Sequence, residues 1–259
     1  MSPRNDITNT ASTTMSGVCL SNIPLSETRF IMVLTLRVHL WIFLCSSQGR
    51  RFNPMSHREI IDDLLDERGR TYAQEAGIGL KDTPASLFQL LVLANLLSTR
   101  ISAGIAVATA RELTDSRFST PEKMRAATWQ QRVNALGRGG YRRYDERTST
   151  MLGDGAALLL DRYAGDLRRL RDESQDSEEI LKRLREFPGI GPTGAAIFAR
   201  EVQGVWPVMA PYFDKKALDG ARKLSLPDGP DALAGLVSPE NLPRLASALV
   251  RVALDRSTK

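Results

Sequence analysis

The sequence predicts an all-α fold, and three observations support it. From Met55 onward, apolar residues recur at helical spacing in segment after segment. Capping residues open these segments, and Gly or Pro separates them. Nowhere do apolar and polar residues alternate for long enough to make a strand.

Ser56-His57-Arg58-Glu59 forms a capping box, followed by the stripe Ile60, Ile61, Leu64 and Leu65. Thr83 caps the next helix, with Pro84 at its first position, where a missing N–H costs nothing. Leu87, Leu90, Leu91, Ala94 and Leu97 share one face, and Val92, Leu93 and Leu96 widen it. A helix apolar nearly all round belongs in the core. Helices over 104–114 and 121–136 follow, the second opened by Thr120-Pro121-Glu122 and ended by the turn Gly137-Arg138-Gly139-Gly140. A helix over about 144–163 turns Leu152, Ala156, Leu159 and Leu160 inward. The charged run Arg168, Arg169, Arg171, Asp172 and Glu173 reads as a solvated linker.

Asp176 and Glu179 form a second capping box, with Ile180, Leu181 and Leu184 as the stripe of a short helix. Phe187-Pro188-Gly189-Ile190-Gly191-Pro192 is a tight turn that Pro192 converts into another helix, whose apolar face is Ala195, Phe198, Ala199 and Val202. Two helices joined in this way suit a particular task. Glycines at 189 and 191 permit positive φ and close approach of the backbone. The exposed amides at the following helix N-terminus then form an anion site, which a nucleic-acid phosphate satisfies without sequence readout. The plainer alternative is an αα-turn whose glycines serve packing.

Composition narrows the options further. The two cysteines, Cys19 and Cys45, form no C-x-x-C pair, so a zinc or iron–sulfur site is excluded and a reducing compartment is the default. Residues 1–54 carry a formal +3 and residues 55–259 a formal +2, so any nucleic-acid face is a local patch. Residues 1–29 are rich in Ser, Thr and Asn, and an apolar run from Phe30 to Cys45 is split by Arg37 and His39. This stretch reads as a secretory signal, as a leader, or as sequence upstream of the true start at Met55. The apolar run is too short to span a membrane comfortably. The organised protein is expected over residues 55–259.

From Leu184 to Ala195 the chain resembles the helix-hairpin-helix motif of endonuclease III and its relatives. Leu96-Leu97-Ser98-Thr99-Arg100 resembles the end of that family's buried early helix and the turn after it. Trp206-Pro207 before Tyr212-Phe213-Asp214-Lys215-Lys216 resembles its Asp-bearing segment. The similarity runs in consistent order over residues 60–255, with 177–202 as the hairpin motif.

The resemblance implies a two-lobed helical DNA glycosylase fold without the iron–sulfur cluster. It implies a partner, double-stranded and damaged DNA, from which one nucleotide is extruded so that its base can be removed. Asp214 is the catalytic residue it implies, reached from Trp206-Pro207 with two residues inserted; the ungapped register gives Tyr212. Thr193 stands where bifunctional members carry a nucleophilic Lys, so no lyase activity is implied. The DNA-binding residues it implies are Gly189, Ile190, Gly191, Thr193 and Gly194 in the hairpin, together with Arg100, Arg138, Tyr141, Arg142 and Lys215. Arg143, Tyr144 and Arg147 extend the basic, aromatic stretch, and Asp219 is a rival for Asp214. No metal or cofactor, no membrane and a monomeric, cytoplasmic, nucleoid-associated protein complete the expectation. As a mere helix cap, Asp214 would tolerate Asn with folding nearly intact. The alternatives are a non-catalytic helix-hairpin-helix DNA-binding protein or a helix pair that serves a protein partner.

Overall fold

The computed structural model describes residues 55–255, and within them every regular element is a helix. The readings of the amino-terminal stretch, with Cys19 and Cys45, lie outside the described residues. The order is α1 (His57–Arg68), α2 (Tyr72–Glu75), α3 (Pro84–Leu97), α4 (Ala103–Asp115), α5 (Pro121–Ala126), α6 (Trp129–Arg138) and α7 (Asp145–Tyr163). There follow α8 (Leu167–Asp172), α9 (Ser177–Leu184), α10 (Pro192–Val202), α11 (Lys215–Lys223), α12 (Pro230–Ala234) and α13 (Leu242–Leu254), with short 3₁₀ turns at Pro207–Met209 and Pro239–Asn241.

These helices bury two separate hydrophobic clusters. The larger takes residues from Tyr72 to Met209, with α3 at its centre: Ser86 to Leu96 are buried without interruption apart from half-exposed Gln89. The smaller joins Ile61, Leu64 and Leu65 of α1 to α11, α12 and α13. The first helix of the described chain therefore packs with the last, and the larger lobe is one continuous excursion between α1 and α11. Gly220 of α11 lies so close to α13 that a Cβ would meet the Leu249 backbone, with its carbonyl carbon 2.7 Å away. A charged pin joins the two lobes: buried Glu201 of α10 accepts from Ser247 Oγ of α13 at 2.8 Å and from the Tyr72 and Ala73 amides at 3.2 and 2.9 Å. Those amides are two of the donors left open at the start of α2, so one carboxylate caps a helix and ties the lobes together.

Several elements differ from the sequence-based expectation. The helix over 121–136 is two helices. Ala127 is extended, and a capping box between Thr128 and Gln131 starts α6, a signal that Thr-x-x-Gln already carried. Asp176 accepts from the Glu179 amide at 2.8 Å, but the Glu179 side chain takes the Gln175 amide instead of completing the box. Thr83 makes no side-chain cap and bonds to Ser86 Oγ at 2.9 Å.

The supposed linker is helix α8, with Leu167 and Leu170 buried. Its Arg171 reaches Asp82 at 2.8 Å and stacks over Trp206, with 5.3 Å from guanidinium carbon to ring centroid. Asp82 also accepts from Trp206 Nε1 at 2.8 Å. Burial pushes the Asp82 carboxyl up, but the bonds from Arg171 and Trp206 outweigh it and hold the group below its usual range. The charge run is therefore a fastener between α8, the start of α3 and the Trp206 turn.

Candidate nucleic-acid interface

The turn between α9 and α10 has one strained position. Gly189 has φ +82°, and the Ile190 amide closes the turn on Phe187 O at 3.0 Å. Gly191 has φ −88°, open to any residue, which corrects the expectation of positive φ at both glycines. A Cβ at Gly189 would collide with Asn95 Nδ2 and come within 2.8 Å of Met151 Sδ, whereas at Gly191 it would meet nothing within 4 Å. The two glycines thus serve different ends. Gly189 lets the turn lie against α3 and α7, where Asn95 Nδ2 donates to Pro188 O at 3.1 Å. Gly191 leaves clear the approach to the N-terminus of α10, where the amides of Gly191, Thr193 and Gly194 have no acceptor among the described residues.

Two expected outcomes separate these roles. Gly189→Ala places a side chain at positive φ against a fixed neighbour and should cost about 2 kcal/mol or more. The melting midpoint should then fall by at least about 4 °C. Gly191→Val should melt like the wild type yet weaken binding to damaged and undamaged duplexes alike by about tenfold, the value of a charge-assisted contact. Equal affinities across a salt series would remove the α10 N-terminus as an anchor.

Around the turn lies an open cleft of about 660 Å³. One wall is the hairpin from Arg185 to Gly194, another the end of α3 with Asn95, Ser98, Thr99 and Arg100, and a third the start of α7 with Tyr144, Arg147, Thr148 and Met151. Gly189, Ile190, Gly191, Thr193, Gly194 and Arg100 are therefore gathered in one place. Thr193 is exposed, whereas Ile190 is 4% exposed and packs inward. Arg142 stands exposed two residues before Tyr144.

The basic side chains here hold no carboxylate, a state they share with Arg58, Arg70, Arg117 and Arg169 among the described residues. Arg68, Arg125, Arg138, Arg162, Arg168, Arg171, Arg183, Arg200, Arg222 and Arg251 all hold carboxylates. Arg100, Arg142 and Arg147 make no side-chain hydrogen bond or ion pair in the described structure, and Arg185 bonds only to Leu181 O of its own helix. Arg143 lies over the Tyr144 ring at 5.3 Å. Glu186, the one carboxylate lining the cleft, is taken up by Arg162. The cleft thus presents uncompensated positive charge.

Other expected site residues lie elsewhere. Tyr141 is fully buried, its hydroxyl 2.7 Å from Thr99 Oγ1, so its ring is core and reaches no ligand. Arg138 is held by Glu112 at 2.6 Å and Ser116 at 2.7 Å, and its hydrogen bond keeps the Glu112 carboxyl below its usual range against the opposing effect of burial. Lys215 is exposed and pairs with Asp219 at 3.4 Å; Asp219 also holds Arg222.

Asp214 is the N-cap of α11, with Oδ1 accepting from the Ala217 amide at 2.9 Å. Its Oδ2 accepts from Arg200 Nη1 at 2.7 Å. The Arg200 side chain is 3% exposed and that of Asp214 14%, and neither residue lines the cleft. Beside them the Tyr212 phenol is pushed up by burial and by the Asp214 charge, against the opposing pull of Arg200 and Arg185.

Sequence reasoning missed Arg200, Asn95 and Arg185. Arg200 had a signal, as a charge between apolar-face residues Ala199 and Val202. So did Asn95, the only amide in the run from Leu90 to Leu97. Arg185, on a charged segment, had none. Among the described residues no cluster of His, Cys, Asp or Glu could hold a metal, and no helix is long and apolar enough to cross a membrane.

No family profile and no curated protein matches the sequence. The chain is similar in fold to endonuclease III in a trapped covalent DNA intermediate, an estranged-adenine complex, at 17% identity and a TM-score of 0.43. It is also similar to endonuclease III in a non-covalent DNA complex, at 15% identity and a TM-score of 0.47; each alignment covers 76% of this chain and 85% of the other.

Proposed function

We propose that residues 55–259 bind double-stranded, damaged DNA as a monomer and hydrolyse the N-glycosidic bond of one extruded base, without lyase chemistry. The observation that supports DNA as partner is the unpaired charge of Arg100 and Arg147 in one cleft with the open amides of α10. Unneutralised arginines and a helix N-terminus suit a polyanion read by its phosphates.

Asp214 is the carboxylate assigned to base loss. Departure of a base leaves oxocarbenium character on the sugar, which a fixed carboxylate stabilises, and the same group orients the attacking water. Thr193 supplies no amine, so no Schiff base forms at the head of α10.

A second reading, a non-catalytic DNA-binding protein, is favoured by one observation. Both oxygens of Asp214 are already engaged, and the residue stands outside the cleft lining. A panel of duplexes with one lesion each, assayed for alkali-labile sites after incubation with the purified chain, separates the two. The first reading expects release from at least one lesion and none after substitution of Asp214. Release from no duplex, with binding retained, establishes the second.

A further inference from the structure

The chain passes from the larger lobe to the smaller at the residues just before Asp214. Tyr212 packs on the larger hydrophobic cluster, and Phe213 is buried in the smaller. No helix or strand holds the backbone from Ala210 to Asp214 in the described structure, because the 3₁₀ turn ends at Met209 and α11 begins at Lys215. Backbone polar groups in such a segment still need partners, and without them the direction of Asp214 would be poorly fixed.

One side chain supplies what secondary structure does not. Gln203, at the end of α10, is 3% exposed. Its Oε1 accepts from the Tyr212 amide at 2.9 Å, and its Nε2 donates to Tyr212 O at 3.0 Å. The side-chain amide thus meets both polar groups of one residue, as a neighbouring strand would. Nε2 also donates to Arg200 O at 2.9 Å, which uses its second hydrogen and fixes which end of the amide carries oxygen.

Arg200 lies three residues earlier on the same face of α10 and holds Asp214 Oδ2 at 2.7 Å. The last turn of α10 therefore grips the segment at both Tyr212 and Asp214. The grip does not exhaust the carboxylate. Ionised, it has about four lone-pair positions, of which Arg200 and the Ala217 amide take one each. At its other end, roughly 16 Å away by the rise of an 11-residue helix, α10 presents its open amides to the cleft.

Resting on the catalytic reading above, we infer that Gln203 is a positioning residue, which registers the Asp214 segment on α10. The DNA strand anchored at the head of this helix and the carboxylate at its foot then stay at one fixed separation. Gln203 touches no substrate and acts through Asp214.

The test separates placement of the carboxylate from stability of the fold. Gln203→Met keeps the length of the side chain and removes all three of its hydrogen bonds. Single-turnover base release and affinity are measured on the lesion duplex that the wild type processes fastest, at a temperature where circular dichroism shows the variant folded. Affinity should stay within about twofold while release falls by about 10- to 100-fold, the scale of a displacement of order 1 Å at a reacting centre. Release at the wild-type rate by the folded variant would reduce Gln203 to a structural role and overturn the inference. A loss of affinity that accounts for the whole effect would do the same. Where Gln203→Met does not fold, Gln203→Asn, which retains the amide one methylene short, carries the same expectation. Hydrogen exchange of the wild type is a check that needs no variant: the Tyr212 amide should be protected like those inside α10, and exchange at the rate of an exposed amide would overturn the clamp. Release by the wild type from no duplex, with the Tyr212 amide protected, would overturn the catalytic reading and the positioning role with it.

Discussion

Asp214→Asn should be markedly less stable than the wild type, whatever it does to base release. Among the described residues Asp214 Oδ2 is the one acceptor for the Arg200 side chain, a guanidinium almost wholly removed from solvent whose Nε has no partner there. Removing the negative partner strands a positive charge in the interior, which costs roughly 3–5 kcal/mol. For a domain of this size that corresponds to about 6–20 °C in the melting midpoint. The sequence suggested that Asn, an equally good helix cap, would be silent for folding; the buried arginine predicts the opposite.

Arg200→Met combined with Asp214→Asn should recover most of the loss, since it leaves the cap and removes the stranded charge. Both variants should release base at least about 100-fold more slowly if Asp214 stabilises the developing cation. Comparing them separates chemistry from unfolding. A single variant that melts like the wild type would show that the ion pair contributes nothing. Undiminished release by the folded double variant would remove Asp214 from the reaction.

Much of the fold was legible because helical periodicity is a local property. Leu87, Leu90, Leu91, Ala94 and Leu97 announce α3 and its burial, and Phe187 to Pro192 announces the hairpin, without knowledge of any contact. Boundaries set by competition between neighbours were less legible. Thr128 breaks the run from 121 to 136 because its capping box with Gln131 outweighs continuation of the helix. Charged residues were read least well, since their role depends on what the fold brings opposite. Arg171 meets Asp82 and Trp206, from distant parts of the chain, and becomes a fastener instead of a solvated linker residue. Tyr141 and Arg138 follow the same logic. The spacing of a basic, aromatic stretch does not reveal that the ring turns inward to Thr99 or that Glu112 claims the guanidinium.

The hairpin residues were legible as a group because the turn constrains its own geometry. The arginines near it were not, because pairing depends on which carboxylates the fold brings opposite. Unpaired arginines in a cleft that also holds open backbone amides predict a thermodynamic quantity. Each arginine that neutralises a phosphate contributes about one unit to the slope of log affinity against log salt. Arg100, Arg142 and Arg147 bond to nothing else in the described structure, so their joint replacement by Ala should leave the melting midpoint unchanged.

The most direct measurement is therefore the affinity of the wild type and of this triple variant for one undamaged duplex across a salt series. The wild type should show a linear fall with salt, and the triple variant a slope smaller by about 3 units, with weaker binding at every low-salt point. A wild type that binds no duplex, or a triple variant whose slope and affinity match the wild type, would contradict the claim that this cleft receives nucleic acid.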